Sequence, residues 1–132
     1  MSPVVSHPLG PVSIPAQPKD SAQRGPLQQY TTFRYHAGGV PEFQLNETRA
    51  NIFGTPIEND VRFRVGLRGA NGQQATTTLV WARGERGTRK KWANTLSGQY
   101  ALNCRLDFSA SGWNAKQHGS FLWKGQVFLA YR

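Results

Sequence analysis

Val61-Arg62-Phe63-Arg64-Val65-Gly66-Leu67-Arg68 is the stretch from which the fold is read. Val61, Phe63, Val65 and Leu67 share one parity, and Arg62, Arg64 and Arg68 share the other. That two-residue period belongs to a strand with one face on a core and one on solvent. Asn71-Gly72 follows, a pair suited to a two-residue type I′ turn because both positions take positive φ. Such a turn sets Phe63 opposite Val80, Arg62 opposite Trp81 and Arg64 opposite Leu79. The expected hairpin carries Arg62 over the Trp81 ring on its outer face, a cation–π pair.

Strand signals continue on both sides of this hairpin. Tyr30–His36 is dense in aromatic and β-branched residues and ends at Gly38-Gly39 and Pro41. Glu42–Phe53 begins with Phe43 and Leu45 on one face, and Gly54 and Pro56 close it. Tyr100–Phe108 alternates, with Leu102, Cys104 and Leu106 inward and Asn103, Arg105 and Asp107 outward. Gly119–Tyr131 supplies a last long strand in which Gly125 marks a bulge. Gly84–Lys91 is expected to be a loop, and Trp92–Gly98 a helical turn. No long segment holds a 3.6-residue apolar period. The expected fold is all-β: an antiparallel sandwich of jelly-roll type or a small barrel, spanning residues 29–132. The strands at Val61–Arg68 and Gly119–Tyr131 are expected to offer edges for pairing between subunits.

Residues 1–28 differ in kind. They hold Pro3, Pro8, Pro11, Pro15, Pro18 and Pro26 and no aromatic residue. Proline fixes φ and lacks a donor N–H, so this stretch is expected to be an extended arm rather than a helix or interior strand. Val4, Val5, Leu9, Val12 and Ile14 suit an arm that lies across a neighbouring subunit. The prolines also interrupt any secretory leader, and the lone Cys104 fits a reducing compartment, so a cytoplasmic or virion location is expected. Asn46-Glu47-Thr48 is then a chance glycosylation match, and no membrane partner is expected.

The charge is concentrated. The 132-residue chain carries +9 overall. Between residues 61 and 91, Arg62, Arg64, Arg68, Arg83, Arg86, Arg89, Lys90 and Lys91 face Glu85 alone. Like charges gathered this closely repel unless a polyanion neutralises them, so nucleic acid is the expected partner. The expected interface is Arg62, Arg64, Arg68, Trp81, Arg83, Arg86, Arg89, Lys90 and Lys91. In it Trp81 and Trp92 stack unpaired bases.

Competing chemistry has less support. His7, His36, His118 and Cys104 show no metal-ligand spacing, so neither metal nor cofactor is expected. No Gly-x-Ser-x-Gly elbow or Cys/His pairing marks a nucleophile. A small ribonuclease assembled from Glu85 or Glu47 with His118 and Arg86 is a generic trio, and the chain is not expected to be an enzyme. Trp113, Asn114 and Trp123 suit a sugar platform, but core filling explains such tryptophans equally well. The layout of proline-rich arm, β domain and basic surface is shared by many viral coat subunits. The sequence therefore leads to a self-assembling, nucleic-acid-associated coat subunit. An OB-like single-stranded nucleic-acid-binding barrel is the alternative.

Overall fold

A computed structural model describes residues 4–15, 25, 27–52, 61–108 and 119–130. Its strands are β1 (Val4–Pro15), β2 (Gln28–Gln29), β3 (Arg34–His36), β4 (Glu42–Ile52), β5 (Val61–Gly69), β6 (Leu79–Trp81), β7 (Arg89–Lys91), β8 (Gly98–Phe108) and β9 (Gly119–Ala130). They form two antiparallel sheets, one ordered β1-β9-β4-β7 and the other β2-β8-β5-β6 with β3 also on β8. The sheets bury their inner faces against each other, so the fold is an all-β sandwich and not a closed barrel. Phe43, Leu45, Phe121, Trp123 and Val127 of the first sheet meet Phe63, Val65, Trp81, Leu102 and Leu106 of the second in one core. Trp123 lies at its centre, with ring centroids 5.2 Å from Phe63 and 6.0 Å from Phe43. Truncating a tryptophan buried this way costs about 3–5 kcal/mol.

The alternation of β5 is as expected, but its partner is displaced. Phe63 faces Trp81, Arg64 faces Val80 and Val65 faces Leu79, one residue from the pairing that a two-residue turn imposes. The turn explains this. Gly72 N–H donates to Gly69 O and Gly69 N–H to Gln73 O, both at 2.9 Å, and Gly72 has φ 84°. This is a three-residue loop, a type I turn followed by a left-handed glycine. Further along, Arg68 faces Gln74 while Val65 faces Leu79, so the partner chain bulges outward through Ala75–Thr78. A one-residue slip turns every side chain to the other face. Trp81 therefore lies in the core, 1% exposed.

Three other expectations change. Val4–Pro15, within the stretch expected as an arm, pairs along β9 of its own chain and places Ile14 in the core. Proline is tolerated there because β1 is the edge of its sheet, where outward backbone positions need no donor. Residues 16–24 of that stretch lie outside the described residues. Secondly, β5 runs between β8 and β6, and β9 between β1 and β4, so neither long strand is a free edge. Thirdly, the segment expected as a loop holds a 3-10 turn at Arg83–Glu85 and the strand β7, while Trp92 enters the core.

The bulge expected at Gly125 falls on its neighbours. Register shifts occur between Leu45 and Glu47 of β4 and between Leu9 and Val12 of β1, both beside Gly125 and Lys124. A Cβ on Gly125 would stand 2.7 Å from Gln44 O and 2.8 Å from Phe43 Cζ. His36 closes a seam between the sheets. Its Nδ1 accepts the Ala130 N–H at 2.9 Å, and Nε2 lies 2.9 Å from Gly39 O. That pair of partners fixes the neutral tautomer with the proton on Nε2.

Candidate nucleic-acid interface

The pairing of β5 with β8 builds the outer face of the second sheet. Arg62 lies opposite Asp107, Arg64 opposite Arg105, and Arg68 opposite Ala101. Outward positions on one strand repeat every ~6.7 Å, and directly opposed residues across a pair approach to ~4.5–5.5 Å. Two guanidinium stems therefore stand face to face at Arg64 and Arg105, an arrangement that costs stability unless neutralised.

The four arginines of this face are not equivalent. Arg64 bonds the Asp107 carboxylate and donates to Thr78 Oγ1 at 3.1 Å. Arg68 is only 8% exposed. Its guanidinium donates to Asn103 Oδ1 and to Tyr30 O, and the Phe33 ring covers it at 5.6 Å. Arg68 thus braces β5 to the segment before β3 and holds little charge for a ligand. Arg62 is exposed and Arg105 half-buried. Neither makes a hydrogen bond or ion pair among the described residues, though the Arg62 charge acts on Glu85. A cleft of about 380 Å³ opens beside them, lined by Arg64, Arg105, Asn103, Leu27 and the bulged Thr76–Thr78.

The rest of the expected patch lies elsewhere. Arg89 and Lys91 project from β7, the edge of the first sheet, whose outer face points the opposite way. Arg89 makes a two-pronged ion pair with Glu42 at 3.0 and 3.2 Å and stacks on Phe128 at 3.6 Å. Arg86 donates to Thr48 O and Oγ1 at 3.2 Å, at the mouth of a second hollow that also holds Arg49 and Lys124. Lys90 turns inward, bonding Glu85 Oε2 at 2.6 Å and Val80 O at 2.5 Å with its ammonium 5.3 Å from the Trp81 ring. Lys90 thereby takes the cation–π place expected for Arg62. The Lys90 hydrogen bond, with the Ala82 N–H and the Arg62 charge, holds the Glu85 carboxyl below its ordinary range. The Arg83 side chain lies outside the described residues.

Trp81 and Trp92 are both 1% exposed, and Trp81 Nε1 donates to Thr88 O at 2.9 Å. Neither ring can stack a base. Among the described residues the exposed aromatics are Phe33 and Tyr35, 38% and 41% exposed, on the β3 margin of the second sheet. Counting charge by chain segment hid Arg105, although its outward parity was readable. Nothing in the local sequence separated Phe33 and Tyr35 from core aromatics.

Other candidates are partly resolved. Cys104 is buried, and burial pushes its thiol up to about 12, opposed by a contact with the Tyr30 hydroxyl at 3.4 Å. Burial likewise raises the Tyr30 hydroxyl, while burial and then the Arg34 charge lower His7. Among the described residues no three His, Cys, Asp or Glu side chains gather as metal ligands. His118, Trp113 and Asn114 lie outside the described residues. No family model, curated protein or solved structure matches this chain.

Proposed function

We propose that the chain is a self-assembling structural subunit of viral or phage coat type, with nucleic acid against the outer face of its second sheet. One observation carries the reading. Arg62, Arg64 and Arg105 stand together on that face, where the described acids near them are Asp107, paired with Arg64, and Glu85, which feels the Arg62 charge but is bonded to Lys90. Arg64 is paired with Asp107, but Arg105 opposite it has no counter-charge among the described residues, and a phosphate chain supplies one without needing a particular base sequence. Self-association is supported by Val4, Val40 and Phe128 around a hollow of about 290 Å³. Val4 and Val40 remain 54% and 37% exposed there. Such a subunit would reside in a virion or in cytoplasm and would catalyse nothing.

The OB-like alternative has less support, because it calls for a closed barrel and for stacking by the two tryptophans now in the core. The test is purification at low salt with and without nuclease, followed by sedimentation, negative-stain imaging and the ratio of absorbance at 260 and 280 nm. The expected result is a large species containing nucleic acid. A nucleic-acid-free monomer at micromolar concentration overturns the proposal.

A further inference from the structure

We infer that the nucleic acid held on this face is single-stranded, and that Phe33 is the side chain on which one of its unpaired bases stacks. The inference rests on the nucleic-acid reading of the second sheet and adds to it the strandedness of the ligand and a base-contacting residue. Phe33 lies at the end of the arginine row. Arg68, under its ring, is two outward steps along β5 from Arg64, about 13 Å at the spacing of a strand. The exposed Arg62 and the half-buried Arg64 and Arg105 thus occupy one end of a track, and an aromatic face occupies the other.

The Arg68–Phe33 contact fixes the ring. Arg68 is anchored by Asn103 and Tyr30 O on a buried guanidinium, so the ring resting on it is held from beneath. The ring is nevertheless 38% exposed, in a chain whose tryptophans Trp81, Trp92 and Trp123 are each 1% exposed. A cation under one face of a ring and a base on the other is a compatible arrangement, since both contacts use the π system. An undistorted duplex keeps its base faces stacked internally and offers a ring on a protein surface only backbone and base edges. A single strand can lay a base on the ring while its phosphates meet Arg62, Arg64 and Arg105. Charge complementarity chooses the occupant, and the exposed ring chooses its strandedness.

The test uses Phe33→Leu and Phe33→Trp in the full-length protein, with fluorescence anisotropy on a labelled single-stranded 20-mer and the matching duplex. Leucine keeps an apolar cover over Arg68 but removes the π face. Phe33→Leu is expected to weaken single-strand binding about 5- to 160-fold, the ratio that stacking one base supplies. It should leave the salt dependence, duplex affinity and melting temperature unchanged, and Phe33→Trp should restore binding. Equal single-strand affinity in Phe33→Leu and wild type overturns the inference while leaving the arginine face intact. Equal losses on single strand and duplex also overturn it, since that reports a disturbed surface. Wild-type protein that binds neither probe overturns the nucleic-acid reading as well.

Discussion

Replacing Arg62 and Arg105 together with glutamine isolates the electrostatic part of the proposed interface. Arg64 is left in place because it neutralises Asp107 and bonds Thr78, so removing it would strand a carboxylate whose second oxygen is already buried without a partner. Arg62 and Arg105 make no hydrogen bond or ion pair among the described residues, and the Arg62 charge is the least of the influences on Glu85, so their loss should leave the fold and its melting nearly unchanged. Each phosphate contact on a single strand contributes about 0.7 to the slope of log K against log salt, so two lost contacts flatten it by about 1.4. Between about 50 and 200 mM salt, the wild type should then lose about 7-fold more affinity than the variant. Anisotropy titrations with a single-stranded oligonucleotide at four or five salt concentrations give both slopes. Arg49 and Lys124 on the opposite sheet supply the control, and their replacement by glutamine should leave the slope unaltered. A double variant with the wild-type slope, or a control that flattens instead, refutes the assignment of this face.

Two further outcomes test the packing on which that face rests. Gly125→Ala forces a methyl group to within 2.7 Å of a backbone oxygen and 2.8 Å of the Phe43 ring, in a strand paired on both sides. Overpacking of this kind costs about 1–3 kcal/mol, and calorimetry should find the melting temperature lowered by about 3–10 °C. An unchanged melting temperature would show that β4 and β9 separate freely. The Cys104 thiol ionises at an ordinary 9.0 when unfolded but near 12 when folded. Its share of stability is therefore complete below pH 9 and lost as pH rises towards 12, about 1 kcal/mol by pH 10. Urea unfolding at pH 8 and pH 10 should show this loss in wild type and a smaller one in Cys104→Ala. Equal losses in the two proteins would remove Cys104 as its source.

The inner faces of the long strands were legible because burial imposes a strict alternation on them. Val65, Leu67, Leu102, Cys104, Leu106, Trp123 and Val127 all lie inside as their parity requires. The hairpin register was not legible. A three-residue loop and a bulge of two extra residues reset it without disturbing the parity of β5 itself, and Trp81 changed sides. The same limit governed the site. Eight basic residues within 31 positions resemble one patch in the sequence. Yet β5 belongs to one sheet and β7 to the other, so the chain crosses the sandwich between them and distributes the charge over two opposite surfaces. Arg68 and Lys90 show that a basic side chain can also serve as a structural brace, which sequence parity alone does not reveal.

The described edges of the sandwich narrow how copies of such a subunit can join. A free strand edge recruits another strand through its unpaired backbone groups, and proteins block this with prolines, charge or brevity. β1 carries Pro8, Pro11 and Pro15, and β7 is a three-residue strand of Arg89, Lys90 and Lys91. β6 and β3 span three residues each and β2 spans two. Each outermost described strand is thus short, basic or proline-bearing, so extending a sheet from one copy into the next through any of these strands is disfavoured. Association through side chains is not. Val4 and Val40 sit at the end of the sandwich where β1 meets β9 and the β3–β4 link passes, away from the Arg64–Arg105 pair. A contact made there buries apolar side chains while leaving the basic face of the second sheet open. On the proposed reading, assembly and nucleic-acid binding would then not compete for the same residues.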